Sequence, residues 1–177
     1  MQGWDLLPPT QKSFDYTDPK TKTVYTYAGY HQSPNKWKKG STPKPIGWDA
    51  GIQWDGDTAR AAGVLKDLKT YYPGANGYEV AGFFWWQGSK DAYDMALASH
   101  YEENLVALIQ NLRKLYKAPH APFVSATLGQ TLQNDTTSTG GVILHALEVR
   151  FQWKNLSFPM EESWFPIEEP SFPIKKC

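Results

Sequence analysis

The stretch EVAGFFWWQGSKD, residues 79–91, constrains the fold most: an apolar run that ends abruptly in Gln87, Gly88 and a polar turn. Read as a strand, 79–86 puts Val80, Phe84 and Trp86 on one face and Ala81, Phe83 and Trp85 on the other, so neither face suits water. Such a strand belongs centrally in a parallel sheet with helices above and below, and Gly82 leaves room for a helix to come close. The surroundings agree. Tyr101, Leu105, Leu108, Ile109, Leu112 and Leu115 recur at helical spacing and predict a helix over 98–117, after which APFVSATLG (121–129) reads as a second strand. Before the run, Ala61, Val64, Leu65, Leu68, Tyr71 and Tyr72 share one face of a helix capped by Asp57 or Thr58 and stopped by Pro73-Gly74. Helix, strand, helix, strand predicts the α/β class with a parallel sheet covered on both faces. In such sheets ligands bind beyond the carboxyl ends of the strands, where Gln87 and Gly88 fall. An amide there can donate two hydrogen bonds to an oxygen that becomes negative in a reaction, or it can cap the following turn; the pattern leaves both open.

The remaining segments behave differently. Residues 1–56 are rich in proline, glycine and lysine and read as a loop-rich insertion, with TKTVYTYAGY (21–30) as one short strand or hairpin arm. Its lysines, Lys12, Lys20, Lys22, Lys36, Lys38, Lys39 and Lys44, read as a solvated basic face. From 147 to 177 the chain reads as a low-complexity tail: Phe158-Pro159, Phe165-Pro166 and Phe172-Pro173 recur every seven residues, and proline in each repeat forbids a coiled coil. That leaves 57–146 as the α/β core.

Composition excludes several classes. The 18 basic and 18 acidic residues cancel, so neither nucleic acid nor a membrane surface is an expected partner. Cys177 is the only cysteine, so no disulfide framework or thiolate metal site is expected. The opening MQGWDLLPP lacks an export signal and no apolar run reaches spanning length, so a soluble, unexported chain is expected. Aromatic residues make up 15% of the chain, an excess that suits a carbohydrate-facing surface or a well-filled core. In WDAGIQWDG (48–56), Trp48 and Trp54 either line a sugar site or pin a loop; Trp86, beside Gln87, joins them as a candidate substrate contact.

AGFFWWQGSKDAYD, followed by YEENLVALIQNLRKLYKAPHAPFVSATLG, resembles the sialate O-acetylesterase-like domain of the SGNH hydrolase superfamily, related to carbohydrate esterase family six. The resemblance covers roughly residues 5–146 and implies a partial domain over 1–146. The implied fold is an incomplete three-layer α/β/α, flavodoxin-like SGNH hydrolase fold, its missing strands lying before residue 1 and after about 146. WWQG is the most specific element, matching a Trp-x-Gln-Gly block usually followed by an acid; here Ser89 follows. By that match Gln87 is the oxyanion-hole donor and Gly88 shapes the turn that presents it.

The resemblance further implies a serine hydrolase acting on acetylated carbohydrate with no metal or cofactor, in a family often secreted or periplasmic. Its Gly-x-Ser-Asn and Asp-x-x-His blocks are not found. Ser13, Ser33, Ser41, Ser89, Ser99 and Ser125 all lack that setting, and Ala28, Leu97, Lys117 and Val142 stand three places before the four histidines. His100 and His120 read as structural or surface residues and His145 as packing or without a role. Asp91, Asp94, Glu102 and Glu103 read as solvated charges on a polar helix face. The expectation is a carbohydrate O-acetylesterase domain that lacks its nucleophile and catalytic histidine; the alternative is a non-catalytic glycan-binding or interaction protein derived from the same fold.

Overall fold

The computed structural model of the chain describes residues 12–126, 129, 131, 132 and 134–151, with side chains up to 148. Residues 14–38 form a sheet rather than a loop with one strand. Strands β1 (Phe14–Thr17), β2 (Val24–Tyr27) and β3 (Lys36–Lys38) pair antiparallel in the order β1-β2-β3. The aromatic residues that looked like compositional excess are its strand formers, with Phe14 opposite Tyr27 and Tyr16 opposite Tyr25. Asp18 closes the first hairpin by accepting the backbone N–H groups of Lys20 and Thr21.

Helix α1 (Ile52–Lys66) starts well before the expected Asp57 or Thr58 cap, and α2 (Leu68–Tyr71) continues it. The reason lies at Gly51, which takes the left-handed φ of +86° and lies against the Tyr30 ring, where a Cβ would collide. Helix α1 has no buried residue. Its expected apolar face, including Ala61, Val64 and Leu65, lines an open cleft shared with residues 78–85 and with Leu112 and Tyr116.

The apolar run gives a short strand, β4 (Phe83–Trp85), which pairs in parallel with β5 (Phe123–Ser125) in the register Phe83↔Phe123, Trp85↔Ser125. Gly82 admits the chain entering β5, not a helix: a Cβ there would stand 3.1 Å from Pro122. Between the strands come a 3-10 turn (Asp91–Tyr93), α3 (Met95–Ser99) and α4 (Tyr101–Leu115). Helix α5 (Thr139–Phe151) runs past the expected boundary at 146; the heptad prolines lie outside the described residues.

One core holds these parts together. Trp85 and Phe123 from the sheet pack with Tyr101, Leu105, Leu108 and Ile109 of α4 and with Ile143, Ala146 and Leu147 of α5. The 3.6-residue spacing of α4 puts those side chains on one stripe, and Glu102 and Glu103 in its first turn with Arg113 and Lys114 in its last suit the helix dipole. The expectation that both faces of β4 are covered is overturned. Phe84 is 70% exposed, Trp86 68% and Val124 53%, so only the Phe83/Trp85 face is packed and the other meets solvent.

Candidate functional site

The site is built where β4 ends. Gly88 has a φ of +132°, a conformation that glycine tolerates, and its carbonyl accepts the Ala92 N–H at 3.1 Å, which starts the 3-10 turn. That turn brings Asp91 back under Gln87. The Gln87 amide donates through Nε2 to the Asp91 carboxylate at 2.9 Å, and the Gln87 carbonyl accepts the Tyr101 hydroxyl at 2.7 Å. Asp91 is 1% exposed, so its reading as a solvated charge is wrong: the turn folds it inward, where the half-buried Gln87 amide supplies a donor.

The consequences for Gln87 are specific. One of its two amide N–H groups is committed to Asp91, and the other makes no hydrogen bond among the described residues. Its Oε1 is buried without a hydrogen-bond partner among them, as is Oγ of Ser125, level with Trp85 on the neighbouring strand. Burial drives the Tyr101 phenol well above the ordinary tyrosine range; Asp91 adds to this and Trp85 opposes it, so the hydroxyl remains a donor.

Asp94 is also not a surface charge. It caps α3 by accepting the Ala96 N–H at 3.1 Å, accepts the Tyr27 hydroxyl at 2.8 Å and pairs with Lys36 at 2.8 Å. Lys36 stays exposed but is ion-paired to Asp94. Glu103 is as expected, an exposed residue with His100 3.5 Å away. The His100 ring lies 4.1 Å from that of Phe14, tilted by 31°, His120 is exposed, and His145 lies exposed on α5, which leaves it without a packing role.

The three tryptophans do not form one wall. Trp86 lies on the open sheet face, Trp54 packs against the main core, and Trp48 joins Tyr30 and Trp37 around Ala28 and Ala50. Trp48 is linked to the Gln87 turn by Lys90, whose ammonium lies 5.9 Å from the centre of its ring.

Sequence reasoning passed over His31. Its Nε2 lies 2.7 Å from Oδ2 of Asp55 in the first turn of α1, and the Tyr30 hydroxyl donates to the other carboxylate oxygen. No motif spacing links positions 31 and 55; the meander and the early start of α1 bring them together. No group of three or more metal-ligating side chains occurs among the described residues.

Residues 46–157 match the family described as carbohydrate esterase, sialic acid-specific acetylesterase, which takes in well over half of the chain and the whole Gln87 site. The chain belongs to this family. Its members act on acetylated carbohydrates, and the α/β arrangement with a small parallel sheet accords with an incomplete fold of that kind. No curated protein and no solved structure matches the chain.

Proposed function

We propose that this chain carries the oxyanion half of a carbohydrate O-acetylesterase of the serine type, with Gln87 as donor and without the serine and histidine blocks that complete the reaction. The observation that carries this reading is the Gln87 amide itself: it sits at the carboxyl end of β4, its plane is fixed by Asp91, and its second N–H makes no hydrogen bond among the described residues. In a complete enzyme, serine attacks the acetyl carbonyl and the new oxyanion takes that N–H, which bonds more strongly to the transition state than to the ester. Gly88 contributes the turn. The domain includes α5, whose Leu147 lies in the core, and Trp48, Trp54 and Trp86 are the aromatic surfaces offered to an acetylated sugar.

A hybrid tests it, in which residues 79–146 replace the corresponding segment of a full-length family member. Gln87→Ala in that hybrid is expected to lower kcat on the order of 10²–10³-fold with KM nearly unchanged. Unchanged kcat with a lowered melting temperature would identify Gln87 as a turn cap only.

The second reading is a non-catalytic glycan binder. It is favoured by Trp86, two-thirds exposed beside the site, and by the Lys90–Trp48 pair. Quenching of tryptophan fluorescence by an acetylated sugar, lost in Trp86→Ala, supports it, and a flat titration removes it.

A further inference from the structure

Outside the Gln87 site, the chain holds an oriented histidine–carboxylate pair, and its own backbone clamps that pair in place. The His31 N–H donates to the Ala50 carbonyl at 2.9 Å, and the Ala50 N–H donates to the Gln32 carbonyl at 3.1 Å, which pins the loop after β2 to the start of α1. His31 itself has a φ of +62°, a conformation that costs a non-glycine residue energy and recurs at functional sites. The imidazole is then held on two sides. It stacks on Tyr30, ring centres 3.8 Å apart and 23° from parallel, and its Nε2 meets Asp55 at 2.7 Å.

A carboxylate only accepts, so Nε2 carries a hydrogen, and in the neutral imidazole the lone pair lies on Nδ1. Nδ1 has no hydrogen-bond partner among the described residues, and the side chain is 60% exposed. Asp55 is fit to hold this tautomer. Burial pushes its carboxyl up, but the hydrogen bonds from Tyr30 and His31 outweigh that and keep it below the usual range. The Tyr30 phenol is pushed up to about 12, by burial first and then by Asp55, so it stays protonated as the second donor. Trp48 and Tyr30 pack against the same buried pair, Ala28 and Ala50.

From this geometry we infer that His31, held by Asp55 and Tyr30, is a general base that activates water against acetate esters, independently of any serine and of Gln87. Nδ1 takes a proton from water as the water oxygen bonds to the acetyl carbonyl carbon. The tetrahedral adduct then reforms its C=O and breaks its bond to the alcohol oxygen. The proton on Nδ1 leaves with that oxygen as the free alcohol, and acetic acid passes to solvent as acetate. Asp55 is a positioning residue; His31 is the catalytic one.

The test is hydrolysis of 4-nitrophenyl acetate by the full chain, by H31N and D55N, and after a serine-directed fluorophosphonate. Asparagine tolerates the left-handed backbone at position 31, so H31N removes the base with little strain. Expected are turnover above free imidazole at equal concentration and a fall in H31N of about 10²-fold, the lower end for general-base catalysis. D55N is expected to lower kcat with KM unchanged, and fluorophosphonate to leave the rate intact. Turnover no faster than imidazole, or H31N at the wild-type rate, overturns the inference. If H31N loses the wild-type far-UV spectrum, D55N decides, and an unchanged kcat there overturns it equally. Inhibition by fluorophosphonate points to a serine and overturns it together with the reading that the nucleophile is missing. The Gln87 assignment is read out separately, in the hybrid enzyme.

Discussion

At the scale of single residues, the site is governed by where buried charge finds a partner. Asp91 is nearly inaccessible and accepts the Gln87 amide, so truncating it strips a half-buried donor of its acceptor. Asp91→Ala is expected to cost roughly 1–3 kcal/mol, whereas Asp91→Asn retains an acceptor oxygen and should cost less. Urea unfolding of the two variants separates them, and equal midpoints would contradict the role given to the carboxylate. Gly51 makes a second test, because its φ is +86° and an added Cβ runs into the Tyr30 ring. Gly51→Ala should destabilise by more than about 1 kcal/mol and loosen the His31–Asp55 contact, visible as changed imidazole chemical shifts.

At the scale of elements, α4 and α1 have the same length and opposite roles. Helix α4 buries Tyr101, Leu105, Leu108 and Ile109 against β4, β5 and α5, while α1 has no fully buried residue and meets the core through the partly buried Trp54. Leu108→Ala should therefore cost about 2–5 kcal/mol, the range for emptying a core site. Val64→Ala should stay within about 0.5 kcal/mol, as for a surface change. Native-state hydrogen exchange gives the same ordering without mutation: amides of α4 exchange near the global unfolding free energy and those of α1 well before. Equal protection in the two helices would mean that α1 is packed by something beyond the contacts described.

At the scale of the whole molecule, two features dominate. The antiparallel sheet is tied to the α/β part by Tyr27, Lys36 and Asp94. Burial lifts the Tyr27 phenol to about 12; for Lys36 burial works against the charge, but Asp94 and Tyr27 outweigh it and raise the ammonium to about 12. Both folded values exceed the unfolded ones, so their stabilisation is complete below about pH 10 and is lost as pH rises towards 12. Thermal melts from pH 8 to 11.5 should show a steep alkaline loss, blunted in Tyr27→Phe; a flat profile would contradict the tie. The second feature is the bare sheet face with Phe84, Trp86 and Val124. Exposed apolar surface beside a short strand favours association, so sedimentation should be concentration-dependent and Phe84→Ser with Trp86→Ser should reduce it.

What could be read in advance follows from how local each signal is. The helical period of α4, the parallel pairing of the segments around Phe84 and Val124, and the turn at Gln87-Gly88 are written in consecutive residues, so the sequence alone determined them along with the family. Of the short strands in 14–38 only β2 was legible, inside 21–30; β1 and β3 were hidden because their partners are set by a hairpin turn and by cross-strand rings, not by a long alternating run. The double cover expected for 79–86 failed for a related reason: hydrophobicity states that a face wants cover, not that a helix will supply it. Only the tertiary structure decided that Asp91 and Asp94 face inward, that α1 starts at Ile52, and that His31 meets Asp55. Each of those depends on a partner distant in the chain, and burial and hydrogen bonding take their energies from partners in space, which spacing along a single sequence does not encode.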